Sequence, residues 1–542
     1  MSTECYPIAT LPHVTKLYRA YVAMGEASAD GRVRGWYGVE PLGQSWMRSA
    51  EWHGDRERLA DALEAQSREF GAGPAALENI AKLKAGARAV VTGQQVGLFG
   101  GPLLTLLKAA TAVARAKQAT SATGVEHVPV FWLASEDHDL DEVNESALLT
   151  KTAVDKLRLE IKGHGGPVGA VELGASVDAV LERASELLGY TPICDLLRET
   201  YGAPGATFTN AFARLMARLF AEQGLIVMDP AGREFHALGA KVLRAGIEQA
   251  EELEKAVIAR SEELERAGYH AQVLVKAGAS LLFLMGDDGV RQPLRRTAGG
   301  SWKAGNKTYS QEELLGILES TPERLSPNAL LRPVFQDAIL PTVAYVGGPA
   351  EVAYFAQSAV VYEQVLGRVT PILPRFSATL IEPAIGKVME QHEVSLPEAM
   401  TSADELAQRL GARAMPIKAK RKLAAAGNAL HEALTAAQNY MGSLDESLGK
   451  AAEVSASKMR YQMDRLRRLA ANFELQKEAS LRKHAEAMTL HLFPEGHPQE
   501  RVIAGAWFVA AAEAQGMSAG KLIARLVDEA ASQCPGHIVV RI

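Results

Sequence analysis

Five carboxylates, Glu136, Asp137, Asp139, Asp141 and Glu142, fall within seven positions directly after the apolar run 128–134, with His138 between them. Crowded carboxylates raise one another's pKa and need a cation or hydrogen-bond donors nearby, so such a cluster is where a general base or a Mg2+ ligand is sought. Acidic residues also favour the first turn of a helix, where the macrodipole stabilises them, and that account suits Asp141 and Glu142. Glu136, Asp137, His138 and Asp139, nearest the end of the apolar run, are therefore the candidate proton-handling group. Asp137 or Asp139 is the candidate Mg2+ ligand; the spacing defines no firmer metal set.

A second stretch with chemical content is Thr92, Gly93, Gln94, Gln95, Gly97, Gly101 and Pro102. Glycines let a backbone approach a ligand closely, and proline suits the first turn of a helix. Free amides in such a loop would hold an anion, while Gln94 and Gln95 add amide donors and acceptors. Lys108, nearly two turns into the following segment, reads as too distant to reach a phosphate. The spacing is neither the dinucleotide fingerprint nor a P-loop. A strand-to-helix turn whose glycines only satisfy packing stays open beside the ligand reading.

A third stretch repeats this logic. Asn328 sits in a turn, Arg332, Gln336 and Asp337 recur at helical spacing, and Tyr345 lies in a short apolar run that ends at Gly347 and Gly348, with Glu351 in the first turn of the next helix. Arg332 could grip a carboxylate or phosphate as a fork, or pair structurally with Asp337. Arg375 ends another apolar run and offers a second anion-orienting cation. Asp229, closing the run 224–228, either faces the same rim or caps the next helix.

These residues need a scaffold, and the order of elements supplies one. Strand, glycine loop, helix, strand and acidic cluster make a βαβ unit, and open parallel sheets bind ligands at the carboxyl ends of their strands. The loops should therefore share one rim, with Gln94, Asp137 and Gly347 as neighbours. Residues 272–296 read as a small antiparallel insertion, with 273–275 and 281–285 as strands. In 419–488, where proline is almost absent, apolar positions step by fours and threes through Leu430, Leu434, Ala437, Met441, Leu444 and Leu448, then Met459, Met463, Leu466, Ala470 and Phe473. That is a coiled-coil seam; Gly442, Gly449 and a phase slip near 452–456 mark a break, read here as the turn of an antiparallel hairpin.

The segments Thr92-Gly93-Gln94-Gln95 and Leu98-Phe99-x-Gly101-Pro102-Leu103, then Phe131-Trp132 with Glu136-Asp137-His138-Asp139, then residues 326–333 through Gln336-Asp337 to Tyr345-Val346-Gly347-Gly348-Pro349, together resemble the cysteine-adding enzyme family of bacillithiol biosynthesis. The likeness runs from the N-terminal region to the end of the chain. It implies an α/β fold: a Rossmann-like parallel-sheet core interrupted by connecting peptides, followed by a helical coiled-coil domain that mediates homodimerisation. It also implies a reaction joining L-cysteine to glucosaminyl-malate. Gly100 stands where the family commonly has Thr, and Ser135 where it commonly has Gly. Domains are expected at 1–383 (core, with insertions near 147–205 and 245–325), 384–490 (coiled coil) and 491–542 (packing back on the body).

Amide formation from a free carboxylate is uphill in water, so ATP and Mg2+ are the expected cofactors, with no zinc site, haem or flavin. The chain lacks the His-Ile-Gly-His and Lys-Met-Ser-Lys-Ser signatures of class I synthetases. The alternative reading is a nucleotide-binding scaffold or sensor that acts through its coiled coil. At 542 residues, two or three domains are expected, and a net charge of -6 argues against nucleic acid as the main partner. Cys5, Cys194 and Cys534 make neither a disulfide framework nor a zinc knuckle and suit a reducing cytosol. No apolar run reaches the length of a membrane span and no signal peptide is visible, so small-molecule substrates in the cytoplasm are expected.

Overall fold

The computed structural model describes residues 4–25, 31–37, 43–47, 51–161, 165–297, 299–532 and 536–542. At its centre lies a five-stranded parallel sheet with the spatial order Ile372–Pro374, Thr342–Gly347, Arg88–Gln94, His127–Leu133, Ile226–Met228. All seven residues of His127–Leu133 are buried, as a strand covered on both faces must be. Numbered along the chain, the order is 3-2-1-4-5, the doubly wound arrangement, whose direction reverses between Arg88–Gln94 and Thr342–Gly347. The glycine loop and the Gly348 turn both leave the sheet at this switch point. The Leu104–Thr123 helix that follows the loop is alanine-rich, and its small residues pack it close to the sheet.

Two elaborations interrupt the core. Between the second and third core strands lie the Glu145–Leu149 and Val154–Arg158 hairpin and the helices Ser176–Leu187 and Pro192–Tyr201. Between the third and fourth lies an antiparallel sheet of order Lys307–Tyr309, Trp302–Ala304, Arg291–Arg296, Ala279–Met285, Leu325–Pro327. Residues 273–275, expected as a strand, are not one: the Val273 amide and carbonyl both bond to the Gln357 side chain, and Leu274 is exposed. Alternation of apolar residues over three positions is too short to compete with that anchor.

Helices Ile417–Leu444 and Glu446–Lys477 form the antiparallel hairpin. It turns at Asp445, between the two glycines that mark the expected break and ahead of the phase slip, where the Asp445 side chain caps the second helix by accepting from the amides of Ser447 and Leu448. Gly442 and Gly449 face each other beside the turn; a Cβ on Gly449 would lie 2.9 Å from the Gly442 Cα. Of the predicted seam, Met463 is buried, but Leu444, Leu448, Met459, Leu466 and Phe473 are 39–61% exposed. Two helices alone bury only one side of this apolar stripe.

The C-terminal strand His537–Arg541 pairs in parallel with Ser377–Ile381 and antiparallel with Glu4–Tyr6. Cys5 is disulfide-bonded, which corrects the reading that the three cysteines suit a reducing cytosol. Cys194 is free and buried. Among the described residues no helix is long and apolar enough to cross a membrane.

Candidate active site

A cavity of about 870 Å³ opens at the carboxyl ends of the core strands. The sequence-predicted residues Gly93, Gln94, Gln95, Gly97, Gly101, Pro102, Glu136, Asp137, His138, Asn328, Arg332, Tyr345, Gly348, Glu351 and Arg375 all line it. Gln94 and Asp137 thus share one space with the end of the fourth core strand. Five predicted residues do not line it. Thr92 is buried in the sheet and donates to the Val346 carbonyl across the strands. Gly347 is the last residue of its strand, and its carbonyl accepts from the Arg375 amide; it is the adjacent Gly348 that faces the cavity. Asp139 is exposed and precedes the short Leu140–Glu142 turn. Gln336 and Asp337 are fully buried, because their helix points them inward: the Gln336 amide donates to Asp337, whose other oxygen accepts from the Tyr362 hydroxyl.

The glycine loop is shaped as its sequence suggests, and much of its backbone is held by the protein itself. Gly101 sits at φ 69°, ψ −169°, a conformation open essentially to glycine alone, and a Cβ on Gly93 would lie 2.8 Å from the Trp132 carbonyl oxygen. Several of its amides, however, already have partners. Gly97 donates to Gln95, Leu98 to Val143, Gly101 to Leu98 and Leu103 to Ile503. Gly100 donates to the Tyr201 hydroxyl at 3.0 Å, and that hydroxyl donates to the Gly97 carbonyl. At the other loop the Gly348 amide donates to Glu351 at 2.7 Å.

Lys108 corrects the expectation made from its distance along the chain. The buried helix turns it back onto the loop, where Nζ donates to the Gly93 carbonyl and the Gln94 Oε1 (2.8 Å each) and pairs with Glu351 at 2.6 Å. Burial holds the Lys108 pKa below its ordinary value, with Glu351 opposing. Burial would raise the Glu351 carboxyl, but Lys108, the Gly348 amide and the Tyr345 hydroxyl bring it below the usual range.

Charges in the cavity separate into two groups. At one end stand Glu136, Asp137, Glu142 and Glu145. Asp137 accepts from Gln95 Nε2 at 2.9 Å and from the His138 amide at 2.7 Å, with His138 Nδ1 at 3.3 Å. Glu136 lies 3.0 Å from Nε2 of the buried His236. Burial alone would lower the His236 pKa, but the Glu136 carboxylate brings it above the ordinary value. Glu142, read from sequence as a helix-start residue, faces the cavity instead, and burial raises its carboxyl. Asp229 takes neither of its two readings: it accepts from Ser135 and from the Ala231 amide in the turn after its strand, the next helix has no side-chain cap, and Asp229 does not line the cavity. Arg291, stacked 3.8 Å from the Phe283 ring centroid, forms one wall of this end and donates to Ser326 and Pro327.

At the other end are Arg332, Arg375 and Arg501, with Lys108 behind them. Arg332 is not paired with Asp337; it donates to Gln336 Oε1 at 3.1 Å and the Tyr354 hydroxyl at 2.9 Å. Arg375 pairs with the buried Glu500 at 2.5 Å. Asn328 faces the cavity while its Oδ1 accepts the Leu330 and Leu331 amides. Sequence reasoning missed His236, Arg291 and Arg501, none of which belongs to a readable pattern. Lys108 carried a usable signal: it is the one charged residue in the apolar, alanine-rich run 103–114.

Three guanidinium groups suit phosphate or carboxylate oxygens. Among the described residues no group of three His, Cys, Asp or Glu side chains is placed to hold a metal ion. Mg2+ characteristically needs only one or two carboxylates when phosphate and water complete its shell, and the acidic end can offer those.

Residues 1–376 match the family model described as "Bacillithiol biosynthesis BshC, N-terminal Rossmann-like domain", and residues 378–540 match "Bacillithiol biosynthesis BshC, C-terminal coiled-coil domain". Relatives carry the name "Putative cysteine ligase BshC". One from Koribacter versatilis is 42% identical and one from Solibacter usitatus 35% identical, each over 100% of both chains. One from Salinibacter ruber is 33% identical over 92% of both chains.

Proposed function

The chain belongs to the BshC family of bacillithiol biosynthesis, a ligase family, and from that premise we propose that the cavity joins the carboxyl group of L-cysteine to the amine of glucosaminyl-malate as an amide. The observation that carries this reading is one cavity in which Glu136 and Asp137 share a neighbourhood with a single arginine, Arg291, while Arg332, Arg375, Arg501 and Lys108 surround a single lining carboxylate, Glu351. The acceptor divides the same way, with an ammonium on its sugar and two carboxylates on its malate. Glu136 and Asp137 face the ammonium, and one of them takes the proton that the amine must lose before it attacks; His138, beside Asp137 and exposed, passes that proton to solvent. Arg375 faces the malate.

ATP, when bound with Mg2+, would supply the leaving group that makes the cysteine carboxyl electrophilic. Arg332 would hold its phosphate oxygens. The reaction is assigned to the cytoplasm.

The test is purified protein with L-cysteine and glucosaminyl-malate, with and without ATP and Mg2+. A thiol conjugate should form only with both. Asp137→Asn should lower turnover about a hundredfold or more with unchanged circular dichroism. Absence of product under every condition refutes the reading, and full turnover by the variant removes Asp137 from the chemistry.

The coiled-coil hairpin is assigned to homodimerisation, because the exposed apolar residues Leu466, Leu469 and Phe473 on one helix need a second copy to cover them. Leu466→Glu combined with Phe473→Glu should halve the mass measured by light scattering. An unchanged mass would place the interface elsewhere.

A further inference from the structure

Helix Gln499–Val502 belongs to the C-terminal part of the chain, yet it forms one wall of the cavity in the N-terminal part. It is fastened on both sides. On one side the Gln499 side chain accepts from the Leu380 amide and donates to the Leu380 carbonyl, both at 2.9 Å. On the other, Leu103 donates to the Ile503 carbonyl, Gly505 donates to the Gly101 carbonyl, and Pro102 bridges to Ala504. The glycine loop is thus stitched to this segment by groups that would otherwise face a ligand.

Two adjacent residues of the helix have different fates. Glu500 is 4% exposed and accepts from Arg375 Nη2, from the Ser377 hydroxyl at 3.0 and 3.1 Å, and from the Ala378 amide at 3.0 Å. These four contacts fix its carboxylate, and through it the guanidinium of Arg375. Arg501 lines the cavity and is open to its solvent. Among the described residues its guanidinium has no hydrogen-bond or ion-pair partner. Among the charges around it Arg375 acts most strongly, with the carboxylates of Glu500 and Glu351 opposing it more weakly. Two guanidinium groups line one cavity, Arg375 locked by a buried carboxylate and Arg501 without a partner of its own, so a ligand's anionic oxygens can still bond to Arg501. A single carboxylate would satisfy one fork. The pair suits a group with two.

The geometry points to Arg501 as a substrate-contacting cation for the dicarboxylate end of the acceptor, with Glu500 as the residue that positions Arg375 beside it. This rests on the reading of the cavity given above and adds the group that selects a malate-bearing acceptor over a plain amino sugar. The C-terminal segment therefore completes the site.

L-malate is the probe for direct binding to the full-length protein by titration calorimetry. Arg501→Gln should weaken malate at least about tenfold, the usual worth of a charge-assisted contact, and Arg501→Lys should retain part of the affinity. In turnover, Arg501→Gln should raise KM for glucosaminyl-malate by a similar factor with kcat within about twofold and KM for cysteine unchanged. Glu500→Gln should shift the same KM, whereas a merely structural residue would change thermal stability alone. Should Glu500→Gln fail to fold, Arg501→Gln still decides, since its side chain is solvent-facing. Equal malate affinity in wild type and Arg501→Gln overturns the inference, as does a wild-type protein that binds no malate. A wild-type protein that binds malate but forms no conjugate refutes the proposed reaction and leaves this subsite standing.

Discussion

The loop from Gly97 to Gly101 and the segment from Gln499 to Gly505 touch each other along one edge of the cavity, yet their chemistry is reversed from what their residues advertise. The loop has the glycines and the proline of a ligand cradle, but its amides donate to Gln95, Val143, Leu98, Ile503 and the Tyr201 hydroxyl. The segment has no pattern of its own and delivers an unpaired guanidinium. Glycine in a loop reports what the backbone must do, which is to turn sharply and pass close to the Trp132 carbonyl. It does not report whether the donors exposed by that turn remain free.

The two regions also differ in what holds them. The loop is fastened by a buried charge, through Lys108 to Gly93, Gln94 and Glu351. Lys108→Met would remove that cation, leave Glu351 buried beside fewer donors, and destabilise the protein by about 3–5 kcal/mol. Urea unfolding with an unchanged midpoint would mean that the loop does not depend on this anchor, and the contrast with the C-terminal segment would break.

The C-terminal segment depends instead on a histidine that must stay neutral. His537 is fully buried, with Ser377 and Thr379 hydroxyls 2.8 Å from its two ring nitrogens, and Ser377 in turn donates to Glu500. Burial pushes its pKa from 6.5 down to about 4. The folded protein therefore binds fewer protons than the unfolded chain between those values. The stabilisation is fully present above pH 6.5 and is lost as pH falls towards 4, about 3 kcal/mol in all. Thermal midpoints measured across this window should fall steeply in wild type and less in His537→Gln. Glu500, which Arg375 holds at about 2 despite burial, adds a loss only below its unfolded value of 4.5. Parallel pH profiles for wild type and His537→Gln would remove His537 from this account.

How far the sequence is legible follows from the range of the interactions involved. The core strands are local apolar runs punctuated by glycine and proline, so the parallel sheet, the shared rim and the meeting of Gln94 with Asp137 could be read directly. Partners cannot. Tyr201 reaches the loop from 104 positions away, and nothing near Gly97 names it. Asp337 looks chemical beside Arg332, but one step around a helix separates a residue that faces the cavity from one that is buried. Lys108 was misjudged because distance along the chain was taken for distance in space. The coiled-coil turn falls at the glycine end of its expected break, because one capping side chain, Asp445, outweighs a drift in apolar phase.

The smallest expected effect is the most discriminating. Tyr201→Phe keeps the ring packed edge-on against Phe99, 5.3 Å between centroids, and removes only the hydroxyl. Gly100 keeps its weaker 3.2 Å bond to the Gly97 carbonyl, so the loss should be about 1–2 kcal/mol in unfolding free energy. If loop amides take no part in holding the anion, L-malate affinity should be unchanged within about twofold, while Arg501→Gln weakens it with no comparable loss of stability. A Tyr201→Phe protein that binds malate more tightly would show that the hydroxyl had been competing with the ligand for the Gly100 amide. The loop would then be a latent cradle after all, and the two sides of the cavity would share the anion.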